Sequence, residues 1–146
     1  MGKRVVVKFV IDTNVVVAGL RSPAGASARL LGLAVTGVFT PIMSVPLVLE
    51  YESVCCRLQH LSVSGLSAND VGEVVNALCG AGKEVVPHFQ WRPQLRDPND
   101  EMVLEAAVNG RADGLVTFNS GHFNGPAQRF GIVLMTPQDA LKRIGP

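Results

Sequence analysis

The stretch VVVKFVIDTN, residues 5–14, decides the fold. Residues 5–11 are almost continuously apolar and mostly β-branched. Such a run predicts a strand buried on both faces, the pattern of a parallel sheet. Asp12 stands at the break. In open α/β sheets, ligands bind just outside the carboxyl ends of the strands. Asp12 is therefore expected where chemistry happens. The plainer alternative is a solvated loop Asp, or one bonded to nearby backbone in an Asx turn.

Outward from this strand, turn residues and helix punctuation divide the chain. RSPAGAS, residues 21–27, is a loop, and residues 28–35 read as a helix ending near Gly37. Residues 39–43 form a short second strand. Ser44 caps the next helix, whose first turn tolerates Pro46. That helix carries Leu47, Tyr51, Val54 and Leu58 on one stripe. HLSVSGLS, residues 60–67, reads as a loop. Ser67 and Asp70 then form a capping box for a helix that buries Val71, Val74, Val75 and Leu78. Residues 84–86 suggest a short strand. DPNDEMVLEAAVNG has Asp97 as cap, Pro98 at the first helical position and Gly110 beyond the end. Residues 115–118 and 132–135 are further strands, and Thr136 with Pro137 opens a helix through Ile144. Strands alternating with helices predict one α/β domain over residues 1–146, with a central parallel sheet between helical layers.

Composition excludes several classes. Hydrophobic residues at 47% against 17% charged residues argue against a long disordered tail. A net charge of +1 gives no global attraction for nucleic acid, so such a partner needs a local patch. Cys55, Cys56 and Cys79 are odd in number and lack metal-like spacing, which fits buried thiols in a reducing cytoplasm. The start MGKRVVV has a faint signal-peptide character, but Lys8, Asp12 and Asn14 interrupt the apolar segment. No apolar stretch is long enough for a bilayer, so no membrane association is expected.

Three acids from distant segments point at one sheet edge. Asp12 ends the first strand. Glu50 lies three residues after Leu47 and four before Val54, on its helix's apolar stripe. Burial there is costly without a partner or a cation, and Arg57 is the obvious pairing alternative. Asp100 lies four residues before Leu104, in a first turn where the helix dipole also favours an acid. Asp97 is explained more simply as a cap. Asn119 ends the LVTFN strand as Asp12 ends the first, with His122 following. His122 reads as a surface or capping residue. Clustered without counter-charge, the acids would repel; Mg²⁺ or Mn²⁺ resolves that conflict. A metal so held can polarise a phosphate and activate water, which implies phosphodiester hydrolysis.

These residues resemble the PIN-domain ribonuclease family, in particular its toxins of toxin–antitoxin pairs. The resemblance runs through VIDTNVVVAGL, SPAGASARLLGLAVTGVFTPIMS, LVLEYESV, RDPNDEMVLEAAVNGRADGLVTFNSGHF and GIVLMTPQDAL. It implies a parallel sheet with Asp12 central, and Mg²⁺ or Mn²⁺ held by Asp12, Glu50 and Asp100 as metal-binding and catalytic residues. Thr13 or Asn14, and Thr117, would support those acids through hydrogen bonds. With Asn119, these are the residues expected against substrate. The implied substrate is single-stranded RNA, and the implied partners are an antitoxin and a second copy of the chain. Many family members carry Asp where Asn119 stands, which removes one charge and puts a second metal and full activity in question. Asp97 or Asp113 could compensate, although Asp113 precedes its strand. Arg21, Arg29, Arg92 and Arg96 are the basic residues that could meet RNA phosphates, and Trp91 could stack on a base.

Rival readings fit less well. A haloacid-dehalogenase-type phosphatase needs a second Asp where Asn14 stands. A receiver domain needs an acidic pair and a late Lys that are not evident. A catalytically weak PIN-like module that binds RNA or protein is the substantive alternative, and Asn119 is the residue that favours it.

Overall fold

The computed structural model describes residues 6–86, 94, 95 and 97–145. Val5 of the opening run, and Trp91, Arg92 and Arg96, lie outside the described residues. The opening run forms β1 (Lys8–Ile11), followed directly by α1 (Thr13–Arg21). Then come α2 (Ala26–Val35), β2 (Thr40–Met43), α3 (Val45–Cys55), α4 (Leu58–Ser64), α5 (Ala68–Ala81) and β3 (Lys83–Glu84). The second half is α6 (Pro98–Asn109), β4 (Gly114–Val116), α7 (Ser120–Arg129), β5 (Leu134–Met135) and α8 (Pro137–Ile144).

The sheet is five-stranded and its observed pairings are all parallel, in the order β3-β2-β1-β4-β5. Helices flank it, so the three-layer α/β/α expectation holds. The chain builds outward from β1 to β2 and β3, then returns to place β4 on the other side. The strand order therefore reverses between β1 and β4, and a crevice opens at their carboxyl ends. Phe9, Val10 and Ile11 are 0–2% exposed, as a central strand covered on both faces requires. Phe9 packs its ring on Phe39 with centroids 5.1 Å apart.

The predicted caps are present. The Leu47 amide donates to Ser44 Oγ at 3.3 Å, and Ser67 and Asp70 form the reciprocal box. Asp97 accepts from the Asn99 amide at 2.9 Å. Three local expectations need correction. Leu58 does not extend the α3 stripe: α3 stops at Cys55, and Leu58 opens α4 at 82% exposure. Much of the expected 60–67 loop is helical, because the His60 and Leu61 amides close on the Arg57 carbonyl at 2.9 and 3.0 Å. Gly65, at φ +74°, ends that turn in the left-handed region glycine tolerates. The thiols are not uniformly buried: Cys55 is, and burial pushes it up to about 12, but Cys79 is exposed.

Candidate active site

The β1–β4 register builds the site. Ile11 pairs with Val116, so the next residues, Asp12 and Thr117, face each other at the sheet edge. Thr117 Oγ1 donates to Asp12 Oδ2 at 2.7 Å, and the Asn119 amide donates to the same hydroxyl oxygen at 2.9 Å. Asp12 occupies the N-cap position of α1, yet its side chain makes no capping bond. The carboxylate is held from across the sheet by Thr117 and does not cap α1. It is 5% exposed, and burial pushes its pKa up to about 6, with the Asp100 charge adding to the rise. The Thr117 hydroxyl and the Thr13 amide pull the other way. Behind it, the buried Tyr51 hydroxyl donates to the Ile11 carbonyl and fixes the end of β1 against α3.

A cavity of about 300 Å³ opens over Asp12. Its walls include Thr13 and Asn14 from α1, Glu50 from α3, Asp97, Asn99 and Asp100 at the start of α6, and Asn119 and His122 beyond β4. All three acids from distant segments therefore meet one space. Glu50 is half-buried on the cavity wall rather than in the core, and forms no ion pair with Arg57 among the described residues. Asp100 is likewise a wall residue, with a side chain 13% exposed. His122 Nδ1 lies 3.1 Å from its Oδ2, a contact that the surface-or-cap reading of His122 did not anticipate. Burial raises the Asp100 pKa most, with Asp97 adding to it, while His122 lowers it. Asn119 lines the cavity and is itself exposed. Asp113 is at the opposite sheet edge, where it accepts the Lys8 amide at 2.8 Å, so it cannot compensate for Asn119.

Two further features lay outside the sequence expectations. Glu101 is 3% exposed and accepts the amides of Gln94 and Leu95 at 2.6 and 2.7 Å, tying the approach segment to α6. Arg57, the N-cap of α4, and His60 in its first turn line the same cavity. A loop reading of residues 60–67 hid that placement.

The donor chemistry suits a hard cation. Asn14 Oδ1 is buried with no hydrogen-bond partner, in a cavity that Asp12, Glu50, Asp97 and Asp100 also line. An orphaned carbonyl oxygen of this kind is costly unless something electropositive meets it. Among the described residues, no three His, Cys, Asp or Glu side chains converge as a ready-made metal cage. The acids share a space instead. That arrangement fits Mg²⁺, which keeps several waters and takes one or two carboxylates directly.

Comparison with known proteins fixes the family. The PIN-domain family model matches residues 8–121, from β1 through the cavity to the start of α7. This chain belongs to the PIN-domain family. No curated protein matches it. Among solved structures, it is similar to a chain in the crystal structure of VapBC2 from Rickettsia felis bound to a DNA fragment from their promoter. The TM-score is 0.57 at 16% identity, covering 88% of this chain and 98% of that one, which supports the same fold. The PIN domain's matched span includes Asp12, Glu50, Asp100, Thr117 and Asn119.

Proposed function

We propose that this PIN domain is a divalent-metal-dependent endoribonuclease acting on single-stranded RNA, and the toxin of a toxin–antitoxin pair. PIN domains are generally nucleases that use divalent metals. The observation that carries the reading here is the pairing of a desolvated Asp12 with the orphaned Asn14 Oδ1 in a cavity walled by Glu50 and Asp100. Asp12, Asp100, Glu50 and the Asn14 carbonyl would hold Mg²⁺ or Mn²⁺. When bound, the ion supplies polarisation of a phosphoryl oxygen and a water acidic enough to attack phosphorus.

The chain's own residues prepare that chemistry. Thr117 fixes the Asp12 carboxylate through Oδ2, so that it is held in place for an ion. His122 restrains Asp100 in the same way. Thr13 and Asn119 supply polar groups on the wall where the RNA strand would pass. No Ser or Cys is needed as a nucleophile: the Cys55 thiol is buried and held neutral.

Cleavage of a mixed single-stranded RNA pool in Mn²⁺, Mg²⁺ or EDTA tests the reading. Cleavage should require metal. Asp12→Asn and Asp100→Asn should each lower it by about 100-fold or more while far-UV dichroism stays native. The binding-module alternative is supported by Asn119, which puts an uncharged amide where a carboxylate would stand beyond β4; RNA bound but never cut would establish it.

The partner part of the reading rests on apolar surface. An open groove of about 700 Å³ between α1, α2 and α5, lined by Leu20, Leu31, Val35, Leu66 and Val74, suits an antitoxin segment. Val45 and Leu49 on α3 are about 60% exposed and suit a homodimer contact. The expected compartment is the cytoplasm; no helix among the described residues is long and apolar enough to cross a membrane. Light scattering should give twice the 15.5 kDa chain mass, and a monomer at micromolar concentration would refute the dimer.

A further inference from the structure

Basic residues share the cavity with the acids. Arg57 and His60 line it together with Asp12 and Asp100. Arg57 precedes α4 and His60 stands three residues on, fixed one turn apart by the bond from the His60 amide to the Arg57 carbonyl. Arg21 reaches across from the last turn of α1. Its Nη1 lies 3.3 Å from His60 Nδ1, so it donates to the ring nitrogen. Both guanidinium groups are close enough to lower the His60 pKa, after burial, which keeps the ring an acceptor for Arg21. Among the described residues, neither Arg21 nor Arg57 forms an ion pair with a carboxylate, although Glu50 lines the same cavity.

Arg21 and Arg57 both act on the His60 ring and have no carboxylate partner among the described residues, and like charges so gathered repel each other. A bound anion would offset that repulsion. A chain with a net charge of only +1 gains its attraction for a polyanion from such a local patch. Arg21 and Arg57 lie beside the acids rather than among them. They would engage the strand at phosphates next to the one being hydrolysed.

We infer that Arg21 and Arg57, with His60 as the positioning residue for Arg21, form a subsite that holds the sugar–phosphate backbone of single-stranded RNA beside the reacting phosphate. This rests on the ribonuclease reading in its choice of RNA, but its geometry is independent of the acids. Guanidinium groups suit the task because they stay charged and fork toward phosphate oxygens. Binding here acts equally on ground and transition states, so it sets KM rather than kcat.

The test is fluorescence anisotropy of a labelled uridine oligomer, about 12 nucleotides long, in EDTA over a range of salt. Wild type should bind with a linear log–log salt dependence. The double variant Arg21→Gln, Arg57→Gln should bind about 10- to 100-fold more weakly, and its slope should be shallower by about 0.7 for each phosphate given up. Arg143→Gln removes an exposed arginine of α8 outside the cavity and should leave both quantities nearly unchanged. In Mn²⁺, the double variant should raise KM with kcat within about twofold of wild type. Wild-type affinity and slope in the double variant would overturn the subsite. Equal losses in Arg143→Gln would overturn it too, by showing diffuse attraction. RNA bound through these arginines but never cut with Mn²⁺ would leave the subsite standing and remove the nuclease. No binding by wild type would overturn both.

Discussion

At the scale of single residues, Asp12 shows how an environment changes a side chain's cost. The native carboxyl titrates near pH 6 against an ordinary value of 3.8, chiefly because it is desolvated. The native state therefore holds this proton more tightly than the unfolded chain does. Between about pH 4 and pH 6 the unfolded chain has lost the proton and the native state has not. Stability from this group falls as pH rises through that window, then stays flat. The cost above pH 6 is about 3 kcal/mol at most. Asp12→Asn removes it and can still accept from Thr117. In EDTA, the variant should melt close to wild type at pH 4 and several degrees above it at pH 7. Equal melting temperatures across the range would show that Asp12 is solvated. The position of Asp12 was legible from a β-branched run that stops at an acid. Its neighbours were less so: Thr117 was named through the family resemblance alone and the His122 contact with Asp100 not at all, because strand register and the α7 fold bring them in and periodicity does not encode either.

At the scale of elements, legibility followed the strength of local chemistry. α5, α6 and α8 carry caps that satisfy their first amides, and their starts were readable from Ser67, Asp97 and Thr136. Two helices, α1 and α7, carried no such signal. α1 is rich in β-branched valine, which disfavours helix, yet burial of Val15 and Val16 against the core overrides that preference. α7 contains Gly121, Gly125 and Pro126, all helix-weakening, and is held by the buried Phe123 and Ala127. α4 was missed because its seven residues bury none. The start of α6 depends on a residue the caps do not reveal. Glu101 holds the Gln94 and Leu95 amides just before Asp97, and so anchors the wall that presents Asp100. Glu101→Ala leaves both donors without their charged acceptor and should cost about 3 kcal/mol. Urea unfolding should show the midpoint lowered by about 1–2 M at constant slope. An unchanged midpoint would mean the segment is held by other contacts.

For the whole molecule, the proposed ion would couple folding to cation binding through the same acids. Nothing in a net charge of +1 repels a cation or draws one, so affinity must come from the cavity alone. The unfolded chain scatters Asp12, Glu50 and Asp100 and cannot gather them around one ion. Mn²⁺ that binds only the native state stabilises it by RT ln(1 + [Mn²⁺]/Kd), about 2.7 kcal/mol at a hundredfold excess over Kd. For a domain of this length that is a rise of about 5–10 °C in melting temperature. The rise must depend on pH, because a protonated Asp12 is no ligand. With a native pKa of about 6, Asp12 is charged in about nine molecules of ten at pH 7 and in one of ten at pH 5. Mn²⁺ must displace the proton at the lower pH, so its apparent affinity should fall about tenfold, or about 1.4 kcal/mol at fixed high Mn²⁺. The raised Asp100 pKa acts in the same direction. Scanning calorimetry at pH 5 and pH 7, with Mn²⁺ and with EDTA, should therefore show the larger metal-induced shift at pH 7. Titration near pH 5 should also release a proton per ion bound, visible as a binding enthalpy that changes with the ionisation heat of the buffer. Equal shifts at both pH values, with no buffer dependence, would mean that the ion is held without Asp12 and would separate the most desolvated acid of the cavity from its metal.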